Sequence, residues 1–351
     1  MATLGSFSQT WRYVAIGLAE EYDNLPSSRI EYSQTQEEIS ASITPSNYQY
    51  KVGDVRRYGI VANSEDAMSD NTTALKKLVS ASGSSTFKGW LIFPNTTGSD
   101  VWYFDDVVDI KDGVYIDLCG STIKFSKDTA ESSDAYSGFL YAIRDFILEN
   151  GTVDIDYDGT GQTNAGAAIR LGNRKDDGDY FQNLYDSTLD APMGNVILRN
   201  LRITSSNPTN KIIEMTGGLQ NVIFDNIDID GQGVAPIGIY YEFGFATENA
   251  TANLRETSHA HNMHFRNIRI VDLDATDSTS VGIGLTGAYN CTIDGLYVNG
   301  ARTVFQGTPG ESLFYRPWDE VDEAARFAVV LRIVVGMNIT SAAFAFTGAV
   351  A

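Results

Sequence analysis

The sequence has few of the residues that bind transition metals or form disulfide bonds. Of its 351 residues two are cysteines, Cys119 and Cys291, and three are histidines. Neither cysteine belongs to a CxxC or Cys/His ligand pattern, so we expect two buried free thiols. HExxH and EF-hand patterns are missing as well, and we expect that the protein requires no cofactor.

Long apolar runs and excess positive charge are also lacking. The most apolar stretch, residues 327 to 335, is interrupted by Arg332 and is too short to span a bilayer. The formal net charge of −20 repels nucleic acid and anionic membranes on average. No signal peptide is recognisable at the N-terminus. We therefore expect no nucleic-acid partner, no membrane insertion, and an extracellular or virion-associated location.

The chain is rich instead in the residues of short strands and tight turns, with 32 glycines, 18 tyrosines and 17 phenylalanines. A ten-residue pattern of two short alternating strands recurs, with starts 26 to 50 residues apart. Its copies are Asp145–Asp154, Asn195–Thr204, Asn221–Asp230, Asn262–Val271 and Asn290–Asn299. In each copy the two strands are predicted to meet at a bend, at Asn150, Asn200, Asn226, Asn267 or Gly295.

A third short strand precedes most copies, as in IRLG at 169–172, IIEMTG at 212–217, IGIYYE at 237–242 and VGIGL at 281–285. Three short strands in a turn of about 25 residues are typical of a parallel β-helix, in which inward Ile, Leu, Val and Phe stack into a core. The sequence therefore predicts an all-β, single-stranded, right-handed parallel β-helix.

Stacked coils place equivalent outward residues in columns about 4.8 Å apart. Two columns alternate in charge and are predicted to form stabilising ion-pair ladders. The first contains Glu149, Arg199, Asp225, Arg266 and Asp294, and the second contains Arg202, Asp228 and Arg269. A third column, Ile147, Ile197, Ile223, His264 and Thr292, is largely apolar and should be covered. We expect either a homotrimer or an N-terminal segment folded back over it.

Residues 54 to about 126 carry a second signal, in DVRRYGIVANSEDAMSDNTTALKKLVSAS, WLIFPNTTGSDVWYF and VVDIKDGVYIDLCGSTIKF. These segments resemble the opening module of the pectate-lyase-like β-helix superfamily, particularly bacteriophage tailspikes and polysaccharide depolymerases. The matching residues are Asp54, Arg57, Tyr58, Gly59, Asp70, Asn71, Thr72, Ala74, Leu75, Phe93, Pro94, Gly113 and Ile123. The resemblance implies a capping helix, the first coils and a polysaccharide ligand. No NTD, DD or HG motif of polygalacturonases occupies a matching coil, so it implies no catalytic residue.

The expected organisation has three parts. Residues 1–53 form an N-terminal lead-in or attachment segment, and residues 54–312 form the β-helix with its opening module at 54–126. Residues 313–351 form a C-terminal cap, a trimerisation segment or a truncation point.

The insertions locate a candidate site. The longer intervals between repeats predict loops at about residues 173–193 and 243–260 that leave the same corner and flank a glycan groove. On the groove floor an outward column runs through Arg170, Glu214, Tyr240 and Gly284. Glu242, two residues beyond Tyr240, should also face outward. Arg170, Glu214, Tyr240 and Glu242 are the predicted catalytic residues, although Arg170 and Glu214 could equally form a surface ion pair.

Further side chains are predicted to contact the substrate. They are Asp176, Asp177, Asp179 and Tyr180 of the first loop, Tyr241 of the floor, and His259 and His261 of the second loop. The three aspartates could also bind Ca²⁺, and the HxH pair could act in acid/base chemistry or bind a metal. A solvated acidic loop and ordinary surface histidines are the simpler interpretations.

Two functions follow from this pattern. The first is cleavage of a surface or extracellular polysaccharide. Hydrolysis by two carboxyl groups is preferred over β-elimination, in which Arg170 would neutralise a uronate while Tyr240 or a histidine acts as base. The second is a non-catalytic receptor-binding or structural β-helix that uses the same groove.

Overall fold

A computed structural model describes most of the chain between residues 31 and 346. The described residues are 31–79, 89–106, 108–110, 113–127, 140–142, 144–157, 167–172, 194–205, 211–216, 219–242, 260–286, 288, 291–308, 329–332 and 344–346.

In the described residues, two α-helices and two 3-10 turns precede the strands. Helix α1 is Gln36–Ser40 and helix α2 is Met68–Val79, and the 3-10 turns are Val55–Tyr58 and Glu65–Ala67. The strands are β1 Gly89–Ile92, β2 Val101–Phe104, β3 Val108–Ile110, β4 Val114–Asp117, β5 Thr122–Lys127, β6 Leu140–Ala142, β7 Arg144–Tyr157, β8 Ile169–Gly172, β9 Gly194–Ser205, β10 Lys211–Thr216, β11 Gln220–Asp230, β12 Ile237–Glu242, β13 His261–Val271, β14 Val281–Thr286, β15 Cys291–Val298, β16 Thr303–Thr308, β17 Val329–Arg332 and β18 Phe344–Phe346.

All strand pairs are parallel, and they build two sheets. The first sheet, called sheet A, has the order β1-β4-β7-β9-β11-β13-β15-β17, with β2 and β5 continuing it beside β7. The second, called sheet B, has the order β18-β16-β14-β12-β10-β8-β6-β3. From β6 onward the chain visits sheet B and sheet A alternately and moves one strand further along both sheets with each coil. This progression confirms the predicted parallel β-helix.

The bends within the long strands of sheet A lie where the sequence predicts them. Asn150, Asn200, Asn226, Asn267 and Gly295 all have a positive φ, between 51° and 78°. Asparagine tolerates this left-handed conformation better than most residues because its side chain forms local hydrogen bonds. Here the side chains also bond to each other between coils, since Asn226 Nδ2 donates to Asn200 Oδ1 at 3.0 Å and Asn200 donates likewise to Asn150. The predicted third strand of each coil is the strand in sheet B.

The core is a set of stacked identical or similar side chains. Phe224 and Phe265 occupy equivalent positions in successive coils, and their rings lie 4.8 Å apart and nearly parallel. Val196, Val222 and Met263 form a neighbouring buried column. Parallel pairing in register therefore converts the alternation of the sequence into continuous apolar columns.

A buried ion pair joins the first described residues, from residue 31, to the opening module. Arg57 Nε donates to Glu38 Oε1 at 2.7 Å, and both side chains are fully buried. Tyr58 Oη donates to the same carboxylate, and Arg57 also donates to the carbonyls of Tyr32, Ser33 and Tyr50. Residues 31–53, which the sequence assigns to a lead-in segment, are therefore bonded to the opening module.

Helix α2 is attached to the first coil by the DNTTAL motif. The buried Asn71 side chain accepts a hydrogen bond from the Val61 amide, and its Nδ2 donates to the carbonyls of Val61 and Tyr103. Thr72 Oγ1 accepts from the Asp105 amide. These bonds satisfy buried polar groups, and they hold the predicted capping helix against β2.

The charged columns of sheet A are in register, but only some of the predicted ion pairs form. Arg199 pairs with Glu149, and Arg269 Nη1 lies 2.5 Å from Asp228 Oδ1. Arg202 reaches diagonally to Asp230 rather than directly to Asp228. Within the described residues Asp225 has no ion pair, because Arg199 turns towards Glu149. The predicted pairing of Asp225 with its two neighbours is therefore wrong.

Two further expectations change. Cys291 is buried, but Cys119 is exposed because it lies in the turn between β4 and β5 with φ 49°. Strands β17 and β18 pair with β15 and β16, so the sheets extend beyond the expected end of the β-helix at residue 312. Within the described ranges, no helix is long and apolar enough to cross a membrane.

The buried ion pair predicts a pH-dependent attachment of residues 31–58. Burial opposes ionisation of Glu38, but hydrogen bonds from Arg57, Thr35 and Tyr58 outweigh it and lower its pKa from 4.5. A group with a lowered folded-state pKa stabilises the fold above its unfolded pKa, and this contribution disappears as the pH falls through the folded value. We expect Glu38→Gln to lower the stability of this unit by about 3 to 5 kcal/mol near neutral pH.

Thermal melting at about pH 7 and about pH 3.5 checks this expectation. The wild type should lose more stability on acidification than Glu38→Gln. Glu37→Gln is the control, because Glu37 lies next to Glu38 but is exposed. Equal losses in the wild type and in Glu38→Gln would contradict the assignment.

Candidate functional site

The outward column on sheet B has the predicted register. Arg170 on β8 pairs with Glu214 on β10, Glu214 with Tyr240 on β12, and Tyr240 with Gly284 on β14. Successive members are therefore about one strand spacing, 4.8 Å, apart. The alignment of the four side-chain positions, made from sequence alone, is confirmed.

Two cations converge on the carboxylate of Glu214. Arg170 Nε lies 3.6 Å from Glu214 Oε2, and Lys211 Nζ donates to Glu214 Oε1 at 2.8 Å. The Lys211 ammonium also lies 5.0 Å from the centre of the Tyr240 ring, within the range of a cation–π contact. The site is thus a connected cluster of Arg170, Lys211, Glu214 and Tyr240.

The depth of this cluster differs from the expectation of an open groove floor. Arg170 is 1% exposed and Glu214 is 7% exposed, whereas Lys211 and Tyr240 are partly exposed. The sequence placed Arg170 and Glu214 either on an open groove floor or in a surface ion pair. Both placements are wrong in depth, because the ion pair is buried. Breaking a buried ion pair is costly because the remaining charge is left without compensation.

Lys211 is a member of this cluster that sequence reasoning missed. In a regular strand, residues three apart point to opposite faces, so alternation separates Lys211 from Glu214. Lys211 is the first residue of β10, and its long side chain reaches back to the carboxylate. The only signal in the sequence is a lysine at the start of the strand, three residues before a carboxylate.

The ring of Tyr240 lies directly over Gly284. A Cβ atom at position 284 would be 2.4 Å from Tyr240 Cδ2 and 2.6 Å from Cε2. The missing side chain therefore leaves the space that the aromatic ring occupies. Gly284 determines how Tyr240 is presented on the face of sheet B.

The other predicted catalytic carboxylate, Glu242, is known here by its backbone register alone. Its Cα pairs with that of Thr216, two residues after Glu214 on the neighbouring strand. A strand spacing of about 4.8 Å combined with two residue rises of about 3.3 Å puts the Cα atoms of Glu214 and Glu242 about 8 Å apart. The carboxyl groups that act together in glycoside hydrolases lie about 5 to 9.5 Å apart, a separation that two glutamates with Cα atoms this far apart can reach.

Tyr241 does not belong to the surface. Its side chain is 0% exposed, and its hydroxyl oxygen accepts a hydrogen bond from the Ala260 amide at 2.9 Å. Alternation along β12 turns Tyr241 inward because Tyr240 turns outward. The prediction that Tyr241 contacts substrate is therefore wrong, and its role is to anchor the chain where β13 begins.

His261 is partly buried at the beginning of β13, on sheet A. Its Nε2 lies 3.1 Å from Gln220 Oε1, and His264 Nδ1 lies 2.8 Å from Thr292 Oγ1. Both histidines thus have partners in the neighbouring coil. The remaining predicted contacts, Asp176, Asp177, Asp179, Tyr180 and His259, lie outside the described residues, as do the loops 173–193 and 243–259.

A metal centre is not apparent in the part of the chain that the structure describes, where no three His, Cys, Asp or Glu side chains converge. The aspartates for which Ca²⁺ binding was considered are outside this part.

Comparison with solved structures found one similar chain. The chain is similar to a structure named 1,3-alpha-1,4-beta-D-galactose-4-sulfate-3,6-anhydro-D-galactose-2-sulfate 4 galactohydrolase, with 16% identity and a TM-score of 0.40. The match covers 80% of this chain and 63% of that protein, so the chain spans less than two thirds of its length. No protein-family model and no curated protein sequence matches the chain.

The seat of Tyr240 gives a structural prediction. We expect Gly284→Ala to displace the Tyr240 ring with a modest loss of stability, about 1 to 3 kcal/mol, because an exposed ring can rotate away. Gly282→Ala on the same strand is the matched control. A Cβ there would be 2.6 Å from the Val304 carbonyl oxygen, which belongs to the backbone and cannot rotate away.

Thermal melting of the two variants and the aromatic NMR signals of Tyr240, assigned with Tyr240→Phe, test this prediction. Gly282→Ala should be the less stable variant, and only Gly284→Ala should shift the Tyr240 signals directly. A larger loss of stability in Gly284→Ala would mean that the ring is fixed in its place.

Proposed function

We propose that this chain is a polysaccharide-binding β-helix that cleaves its glycan by hydrolysis on the outer face of sheet B. The observation that carries the proposal is the cluster around Glu214, where Lys211 reaches a register column that contains a cation, a carboxylate and an aromatic ring. The proposal includes an extracellular or virion-associated site of action, as in tailspike-like depolymerases.

Hydrolysis needs one carboxyl group that protonates the glycosidic oxygen and another that activates water or attacks the sugar. Because Glu214 is ion-paired with Lys211, it is suited to the role of the charged carboxylate. Glu242 then supplies the proton. Tyr240, whose ring lies over Gly284, offers an aromatic side chain that a sugar can contact.

A second candidate function is binding without cleavage, and a specific observation favours it. Glu214 already contacts both Arg170 and Lys211, so its ion pairs could serve only to hold β8 and β10 together. In that case Tyr240 and Lys211 would contact the glycan and no bond would be broken.

Glu214→Gln separates these two functions. With hydrolysis, we expect at least about a 100-fold lower rate of release of new reducing ends from a polysaccharide that the wild type binds. Thermal stability should also fall, because Arg170 and Lys211 lose the charge that they share. Asp225→Asn is the control, since Asp225 is partly exposed on sheet A and has no ion pair among the described residues.

The readouts distinguish three outcomes. Loss of cleavage with retained binding supports hydrolysis. Absence of cleavage by the wild type, on any glycan that it binds, leaves the binding function. Product that absorbs near about 235 nm would indicate β-elimination and would replace hydrolysis with the lyase mechanism.

We further propose that the chain assembles as a homotrimer through the apolar column of sheet A. Ile147, Ile197 and Ile223 are in register on β7, β9 and β11 and all remain partly exposed. A continuous apolar column of this kind favours cover. Residues 1–53 of the same chain could cover this column instead, and the structure describes them only from residue 31.

Light scattering of the intact chain tests the assembly. The wild type should have three times the mass of one chain, and Ile197→Asp should reduce this to one, because three buried carboxylates would meet without partners. Gln232→Asp adds the same charge at an exposed turn away from the column and should stay trimeric. A monomeric wild type would overturn the proposal.

A further inference from the structure

The outer column of sheet A begins with two aromatic residues that the sequence analysis did not include. Trp90 on β1 is in register with Tyr115 on β4, which is in register with Ile147 on β7. Trp90 is 58% exposed, the largest value for a large apolar side chain in the described part of the chain. Trp102, on the next strand β2, is completely buried. The exposure of Trp90 is therefore a local feature that calls for a ligand or a partner.

The rings of Trp90 and Tyr115 pack against each other, so that each covers part of one face of the other and Trp90 forms the outer end of the pair. Their ring centroids lie 3.6 Å apart and the ring planes are tilted by 47°. The edge beyond β1 is closed by the backbone of Gly53, where a Cβ would lie 2.5 Å from the Trp90 carbonyl oxygen. Gly113, which has φ 69°, precedes β4 and lies two residues before Tyr115.

Polar groups border this aromatic pair. Asp117 is the next outward residue after Tyr115, about 6.6 Å further along the strand. Its Oδ1 accepts hydrogen bonds from the Cys119 amide and from Asn150 Nδ2. Asp117 and Asn150 are both partly exposed, so the rim offers a carboxylate and an amide to a molecule that lies on the rings.

An aromatic surface with a hydrogen-bonding rim one side chain away matches the chemistry of a sugar ring. A pyranose has an apolar face of C–H groups and an edge of hydroxyls, and it needs both contacts at this separation. The charge of Glu149, beside Asp117 in register, is paired with Arg199. The carboxylate of Asp117 disfavours sulfated or uronate sugars by like-charge repulsion. A neutral hexose unit fits this rim better.

We propose that Trp90 and Tyr115 form a second glycan-binding site, on sheet A, that stacks a neutral hexose unit of a polysaccharide. The inference rests on the proposed function in assuming a polysaccharide ligand, but it uses a different sheet and shares no residue with the cluster around Glu214. It also uses none of the three isoleucines assigned to the trimer contact.

Affinity electrophoresis in native gels that contain dextran, galactomannan or, as an acidic comparison, alginate tests the site. The proteins compared are the wild type, Trp90→Ala, Trp90→Phe and Tyr240→Ala. For at least one neutral polysaccharide, Trp90→Ala should bind about tenfold more weakly than the wild type. Trp90→Phe should retain most of the binding, because it keeps an aromatic face. Thermal melting should show that both Trp90 variants fold, since the side chain is exposed.

Each other result rejects the inference or separates it from the proposed function. If Tyr240→Ala loses binding and Trp90→Ala does not, the second site is wrong and the site on sheet B stands. If only Trp90→Ala loses binding, the second site stands and the site on sheet B is wrong. If Trp90→Ala binds normally but its mass by light scattering falls, a second copy of the chain covers these rings. If no polysaccharide retards the wild type, both proposals fail.

Discussion

Register between successive coils is the constraint on which the rest of this structure depends. Each residue of a parallel coil lies about 4.8 Å from its equivalent in the next coil. A side chain must therefore pack against the side chains at the same position in the coils before and after it. The stacked rings of Phe224 and Phe265 satisfy this constraint in the core. A register shift of one residue would turn every buried column outward. All the buried columns together therefore stabilise the register, far more than any single contact does.

The corners keep the register at low energetic cost. Asn195, Asn221 and Asn262 repeat one left-handed position, and Asn150, Asn200 and Asn226 repeat another. The second and third asparagines of each set donate from the side-chain amide to the side-chain oxygen of the equivalent asparagine in the preceding coil, at 3.0 to 3.3 Å. The residue type that tolerates the bend is thus also the one that links the bends, and a shift in register would break both ladders together.

The same constraint explains which features the sequence predicts well. The columns, the bends and the alternation between sheets follow from the spacing of Asn and apolar residues, because register copies the sequence pattern directly into space. Burial of Arg170 and Glu214, the reach of Lys211 and the pairing of Arg199 with Glu149 rather than Asp225 do not follow from it. Alternation gives the direction of a side chain, whereas its depth depends on what covers the sheet and its partner depends on rotamers. The error for Tyr241 differs, because alternation does give its direction. Tyr241 lies beside the outward Tyr240 and must therefore point inward.

Function in such a fold must come from departures from repetition. A column of identical or alternating residues satisfies its own hydrogen bonds and charges and leaves little for a ligand. The outer column of sheet B departs from repetition at each step, from Arg170 to Glu214, Tyr240 and Gly284. The column of sheet A departs at its first two strands, where Trp90 and Tyr115 replace aliphatic residues. The glycine under Tyr240 removes a side chain so that the aromatic ring can be presented. Sites in this protein are therefore best sought where the register is kept and the side-chain pattern is broken.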